Sequence, residues 1–217
     1  MATERTYTFK ELLDRGDFTA DTARASLGVT DDSYWAECTI THYKESGEDK
    51  GFDIDHIYWS GFCSQGDGAC WVGRVDMDKW MNSDYAKASL EPNEHAILYE
   101  IIVENEAICS QYRISHGSSH YYHSNTMRIA GTEAYLDEPL RHGIMAGADP
   151  RQLLEALGGV NSMCEKLEDA VLQSAKDYAD DIYQALEKEY DYISSDEYIL
   201  EMCESNDYRF NDDGHLV

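Results

Sequence analysis

Residues 51–76 carry the clearest secondary-structure signal in the chain and read GFDIDHIYWSGFCSQGDGACWVGRVD. Aromatic and β-branched residues alternate along Ile54–Cys63, a pattern typical of a β-strand. A second strand is predicted over Ala69–Asp76. The SQGDGA segment between them contains Gly66 and Gly68, which can adopt the positive φ angles that a tight turn needs. The stretch therefore predicts an antiparallel β-hairpin.

A second hairpin is predicted further along the chain. Residues 108–116 and 121–129 both favour strand, and residues 117–119 (Gly-Ser-Ser) join them. Two hairpins give an antiparallel sheet of about four strands, a common size for a stable sheet. Within the first hairpin, Gly61 and Gly73 predict bulges or a close approach of a neighbouring backbone.

Several short helices are predicted outside the strands. Apolar residues at helical spacing precede Gly16 and Gly28, which are plausible helix ends. Residues 31–43 are compatible with helix or strand and favour helix. Residues 95–104 also allow both, but the preceding Pro-Asn pair favours a helix start.

The longest predicted element is a C-terminal helix of roughly 30 residues, or about 45 Å. Ser162 and Glu165 have the spacing of a capping box at its start. A short helix is expected before it at 151–157 and a last helix after it at 194–203. The apolar residues of the long helix recur at steps of three and four residues and define one face. They are Met163, Leu167, Val171, Ser174, Tyr178, Ile182, Leu186 and Tyr190.

These patterns predict an α+β fold. An antiparallel sheet of about four strands, built from two hairpins, packs with N-terminal helices and the long amphipathic C-terminal helix. We expect a single domain over residues 1–217, with an α+β core at 1–150, a helical segment at 151–205 and a tail at 206–217.

The composition is strongly acidic. The 217 residues include 17 basic and 43 acidic side chains, a formal net charge of -26, and 12% are aromatic, which argues against disorder. No apolar run is long enough to span a membrane, and no secretory signal is visible, so we expect a cytoplasmic location. The charge disfavours direct binding to nucleic acid, whose phosphates would repel it. Because such a charge also destabilises the compact state, a basic partner is expected.

The acidic residues of the long helix are the candidate partner-binding site. Rows of carboxylates three or four residues apart on a helix can resemble nucleic-acid phosphates and occupy a basic groove. The alternative is a solvated face that only keeps the protein in solution. The candidate residues are Glu165, Glu168, Asp169, Asp177, Asp180, Asp181, Glu187 and Asp191.

The SQGDGA loop is a second candidate. Its backbone N–H groups could form an anion-binding nest, but the loop contains no lysine and no helix follows it, so a P-loop is not supported. Side chains that satisfy backbone groups in a turn are the favoured interpretation. The loop residues are Ser64, Gln65, Gly66, Asp67 and Gly68.

Metal and enzyme chemistry have weaker support. His116, His120 and His123, with Cys63 and Cys70, could supply zinc ligands if the two hairpins are neighbours, but their spacing matches no known zinc motif. No CxxC, GxSxG, HExxH or Walker motif occurs. We therefore expect no cofactor, no bound metal and no catalytic residue.

Three segments together resemble a known family: GFDIDHIYWSGFCSQGDGACWVG, HYYHSNTM and ALEKEYDYISSDEYILEMCESNDYRFNDDG. They look like a family of small acidic proteins of bacteriophages and mobile elements with a strand–SQGDGA–strand core, some of which carry the label antitoxin. The resemblance implies a phage gene that acts inside a bacterial cell. It transfers no catalytic residue.

The sequence therefore predicts a phage-encoded inhibitor of a host defence system that acts on nucleic acid, such as a CRISPR effector or restriction enzyme. It would act as a nucleic-acid mimic. The alternatives are an antitoxin that neutralises a basic toxin, and a metalloprotein that uses the Cys/His residues.

Overall fold

The structure is a computed structural model that describes residues 5–31, 33–99, 102, 112–117, 121–130 and 160–217. These residues form an α+β fold, as predicted. The helices are α1 (Phe9–Arg15), α2 (Thr19–Leu27), α3 (Glu37–Glu48), α4 (Met77–Asn82), α5 (Asp84–Ser89), α6 (Pro92–Tyr99), α7 (Val160–Ile193) and α8 (Asp196–Ser205). The strands are β1 (Phe52–Trp59), β2 (Ala69–Val75), β3 (Tyr112–His116) and β4 (Met127–Ala130).

The four strands form one antiparallel sheet in the order β1-β2-β3-β4, so both predicted hairpins are confirmed. β4 is shorter than predicted, because a 3₁₀ turn occupies Ser124–Thr126. The first part of the predicted third strand, residues 108–111, lies outside the described residues. β1 also ends earlier than predicted, at Trp59.

The alternation predicted for β1 holds over only part of the strand. The pairing of β1 with β2 shifts between Ile54 and His56, which marks a bulge. An extra residue at a bulge moves the following side chains to the other face. As a result Ile54 and Ile57 are both buried, although strict alternation would place them on opposite faces.

The described chain divides into two compact units, and the boundary falls within α3 and α7. The first unit contains Met1–Cys38 and Ala185–Val217, and the second contains Thr39–Gln184. The predicted division at residue 150 lies outside the described residues and stays a prediction.

The core of the first unit joins α1, α2 and α8. Phe9, Leu12 and Ile199 are almost fully buried in one apolar cluster. A capping box fixes the start of α1, because Thr8 Oγ1 accepts from the Glu11 backbone N–H while the Glu11 carboxylate accepts from the Thr8 backbone N–H. The helix ends predicted at glycine are confirmed for both α1 and α2.

The last twelve residues, predicted as a tail, take part in this core. Phe210 is fully buried, and its backbone exchanges two hydrogen bonds with Tyr7, of 2.8 and 2.9 Å. Asp212 forms an ion pair with Arg15 at 2.9 Å. The burial of Phe210 and its backbone hydrogen bonds with Tyr7 join residues about 200 positions apart, so the local sequence does not reveal them.

In the second unit the residues of α7 up to Gln184 pack near the sheet through aromatic side chains. Trp71 on β2 is fully buried, and its Nε1–H donates to the Ala175 carbonyl at 3.0 Å. The ring centroids of Phe52 and Tyr178 lie 5.2 Å apart. Every described residue of the predicted apolar face of α7 is buried or half-buried, which confirms the 3.6-residue pattern.

One predicted helix start is wrong, and the helix favoured at 95–104 is found but begins three residues earlier. α7 begins at Val160, so Ser162 lies inside the helix and is not its N-cap. α6 begins at Pro92, which takes the first helical position that suits proline. Ser195 does cap α8, since its Oγ accepts from the Tyr198 N–H at 3.2 Å. The predicted helix at 151–157 lies outside the described residues.

Among the described residues, no helix combines the length and apolar character that a membrane crossing requires.

Candidate functional site

All eight predicted partner-binding carboxylates lie on α7, and six of them belong to the second unit. Glu168 and Glu187 are half-buried, whereas the other six are exposed. The buried residues of the same helix provide its contacts with the core, so the exposed carboxylates face solvent. We call the five exposed carboxylates of α7 that belong to the second unit the acidic face. They are Glu165, Asp169, Asp177, Asp180 and Asp181.

Within the part of the chain that the structure describes, the charge of the acidic face is largely uncompensated. None of its five carboxylates forms an ion pair with a described residue. Lys166 lies on the same stretch of helix but pairs with Glu94 instead. Lys176 is the only other basic residue between Glu165 and Asp181. The face therefore keeps a local excess of negative charge.

Two members of the acidic face are held by neighbouring side chains. The Tyr85 hydroxyl donates to Asp181 at 2.8 Å, and the Gln173 amide donates to Asp177 at 2.8 Å. Burial raises the pKa of Tyr85, and the Asp181 carboxylate raises it further. The phenol therefore stays protonated and continues to donate at neutral pH. The other three carboxylates accept no hydrogen bond from a described side chain.

A shallow groove of about 670 Å³ borders the acidic face within the second unit. Its lining mixes apolar residues such as Leu90 and Leu172 with charged ones. Four carboxylates line it, against the two lysines Lys166 and Lys176. Such a groove fits a long side chain with an apolar stem and a positive head, as in arginine or lysine.

The remaining two candidates, Glu187 and Asp191, belong to the first unit. Asp191 is exposed and Glu187 is half-buried. Neither forms an ion pair with a described residue. Their role in binding a partner stays a prediction.

The SQGDGA loop is organised by Asp67. The Asp67 carboxylate accepts hydrogen bonds from the backbone N–H groups of Ser64 at 2.6 Å and Cys63 at 2.8 Å. These bonds hold the pKa of the Asp67 carboxyl below its ordinary value. Ser60 exchanges two bonds with the Gly68 backbone, of 3.0 and 3.3 Å. The backbone N–H groups of Ser64, Asp67 and Gly68 are thus already bonded and do not offer donors to an anion, which favours a structural role for the loop.

The two glycines of this loop allow close packing and do not supply a positive φ. Neither Gly66 nor Gly68 has a positive φ, so the predicted role of these glycines is wrong, although the Asp67 N–H donates to the Ser64 carbonyl at 3.1 Å and closes a turn there. A Cβ on Gly66 would lie 2.5 Å from the Tyr121 ring, and one on Gly68 would lie 3.0 Å from the Tyr122 carbonyl oxygen. Gln65 is exposed. The glycines themselves are the only local signal of this packing, and they do not reveal its partner.

The Cys/His residues form no metal centre in the part of the chain that the structure describes. No group of three or more His, Cys, Asp or Glu side chains there could hold an ion. Cys63 is exposed, whereas Cys70 is buried, and burial raises the pKa of the Cys70 thiol to about 11. Cys70 is therefore a neutral thiol at physiological pH and a poor metal ligand or nucleophile. His120 lies outside the described residues.

The described residues thus define a class: an α+β protein with a four-stranded antiparallel sheet and a long helix that carries exposed carboxylates. The chain belongs to the family described as domain of unknown function DUF8835, whose family model matches residues 35–196. No curated protein matches the chain. No solved structure matches it either.

Proposed function

We propose that this protein inhibits a nucleic-acid-targeting protein by placing the acidic face of α7 in that protein's basic groove. The observation that carries the proposal is the set of five exposed carboxylates without ion-pair partners among the described residues. The partner class is a host defence effector, such as a CRISPR nuclease or a restriction enzyme. The site of action is the cytoplasm of the bacterial host.

The mechanism is competition for the surface that binds phosphates. Effectors of this kind hold nucleic acid in a positively charged channel through backbone contacts. A helix with carboxylates at i, i+3 and i+4 places negative charges about 5–6 Å apart on a rigid support. The net charge of -26 adds long-range attraction to such a channel, which speeds association.

The test compares two triple charge reversals with equal net charge. Glu165→Lys, Asp169→Lys and Asp180→Lys reverse three of the five charges of the acidic face without breaking any described hydrogen bond. The control is Glu45→Lys, Glu48→Lys and Asp49→Lys. These three carboxylates are exposed and lie on or directly after α3, more than 100 residues before α7 in the sequence. We expect the first set to weaken inhibition of a susceptible effector about tenfold or more, and the control to change it much less.

Affinity is measured in rising salt, and inhibition in rising concentrations of substrate DNA. Binding should weaken as salt increases, and excess DNA should relieve inhibition. Equal loss of inhibition in both triple variants would assign the effect to net charge alone. A salt-independent complex, or inhibition that DNA cannot relieve, would contradict the proposal.

A further inference from the structure

One face of the sheet carries the opposite charge. Arg74 on β2 lies directly opposite Arg113 on β3, and Arg128 on β4 lies opposite Ser115, two residues from Arg113. Directly paired residues share a face of a sheet, as do residues two apart in one strand. All three arginines are exposed. We call them the arginine face.

The arginine face has no counter-ion among the described residues. None of the three guanidinium groups forms an ion pair there, although Asp53 on β1 is the residue paired with Arg74. Like charges directly opposite each other destabilise a sheet. Three of only 17 basic residues thus occupy adjacent strands of an otherwise acidic protein. Charge complementarity points to an anionic ligand at this face.

Aromatic side chains border the arginine face. Tyr58 stacks on Tyr122 with ring centroids 5.2 Å apart, and it contacts His116 at 4.7 Å and His56 at 4.3 Å. His56 pairs with Val72, two residues from Arg74, and Tyr58 pairs with Cys70, so the register places both rings on the face of Arg74. All four rings are exposed or half-buried. The surface therefore combines guanidinium groups with partly exposed aromatic rings.

We infer that the arginine face and its aromatic border bind a short single strand of nucleic acid. Guanidinium groups bind phosphate oxygens in a bidentate manner. Aromatic rings stack on unpaired bases and so select a single strand over a duplex, whose bases are already stacked. The four-stranded sheet provides a rigid support about 14 Å wide for these contacts.

The net charge limits this binding to short ligands. Charges further away than the Debye length, about 8 Å at physiological salt, are largely screened. A short strand can therefore be held locally by the arginines, whereas a long duplex would extend into the field of the many carboxylates. This departs from the sequence-based expectation of no nucleic-acid binding, and it does not depend on the function proposed for α7.

The test uses the full chain and a fluorescein-labelled oligothymidylate about ten nucleotides long, followed by anisotropy at about 50 mM salt. We expect Arg74→Gln, Arg113→Gln and Arg128→Gln together to weaken binding about tenfold or more. The slope of log affinity against log salt should fall by about 2, because three phosphate contacts are lost. Tyr122→Leu should weaken binding about fivefold or more through lost stacking.

The control is Lys10→Gln, Lys79→Gln and Lys188→Gln, which removes the same charge from three exposed positions elsewhere. It should change affinity less than about threefold, and melting curves establish that every variant is folded. The inference fails if the wild-type chain does not bind the oligonucleotide at low salt. It fails equally if both triple variants lose the same affinity, or if polyglutamate displaces the strand as well as unlabelled oligothymidylate does.

Discussion

Asp67 connects a single ionisation to the conformation of a loop. Its carboxylate accepts the Ser64 and Cys63 backbone N–H groups, and these bonds favour the charged form. The pKa of Asp67 is therefore lower in the folded chain than in the unfolded one. A group with a depressed folded pKa adds stability above its unfolded pKa, and this stability is lost as pH falls through the folded pKa.

We predict that Asp67→Asn lowers the midpoint of urea unfolding at pH 7, and that the difference from wild type shrinks below about pH 4. The asparagine oxygen can still accept the two bonds, so the comparison isolates the charge. Asp49→Asn removes a carboxylate that accepts no described hydrogen bond and is the control. A difference that stays constant from pH 7 to pH 2 would contradict this account of the loop.

The β1–β2 hairpin depends on one glycine. A Cβ on Gly73 would lie only 2.1 Å from the Asp53 carbonyl oxygen and 3.0 Å from the Ile54 Cα. Both neighbours are backbone atoms of the paired strand, next to the bulge between Ile54 and His56. No side-chain rotation can therefore relieve the contact, and the strand itself would have to move.

We predict that Gly73→Ala destabilises the protein by about 1–3 kcal/mol or more, as overpacking does in other cores. Gly117→Ala is the matched control, because its Cβ would meet nothing closer than 3.7 Å. Urea unfolding of both variants measures the difference. Equal stability of the two variants would show that the strands do not approach as closely as the structure describes.

The net charge of -26 acts on the whole molecule. Repulsion among like charges destabilises the compact state, and added salt screens it. The ion pairs between described residues are few and mostly exposed, so their loss at high salt removes little stability.

We predict that the thermal midpoint rises as sodium chloride increases from about 10 mM to about 500 mM. Added salt shortens the distance over which the carboxylates repel one another and so stabilises the folded chain. The triple lysine variant of the acidic face should begin with a higher midpoint at low salt and gain less from added salt. A midpoint that falls with salt would show that attractive ion pairs outweigh repulsion.

Much of the secondary structure could be predicted because its signals are local. The 3.6-residue pattern of α7, the glycines that end α1 and α2, and the Ser195 cap each depend on residues within one or two turns. The acidic face follows from the same period, since exposed positions of an amphipathic helix are those off the apolar face. Five of the eight predicted carboxylates make up the acidic face, whereas Glu168 and Glu187 are half-buried and Asp191 belongs to the first unit.

Features that depend on contacts distant in sequence could not be predicted. The burial of Phe210, the packing of Tyr121 on Gly66 and the bulge in β1 each require knowledge of which segments meet. The arginine face is of this kind: alternation places each arginine on a face of its own strand, but only register and strand order bring the three together.

The amino-acid sequence alone determined the class of fold, the hairpins, the amphipathic helix and the excess of negative charge. The tertiary structure decided the strand register, the packing of the loop and the grouping of positive charge on the sheet. The reason is physical. Periodicity and capping record the preferences of neighbouring residues, whereas register depends on side-chain packing between strands, and a shift of one residue exchanges the two faces.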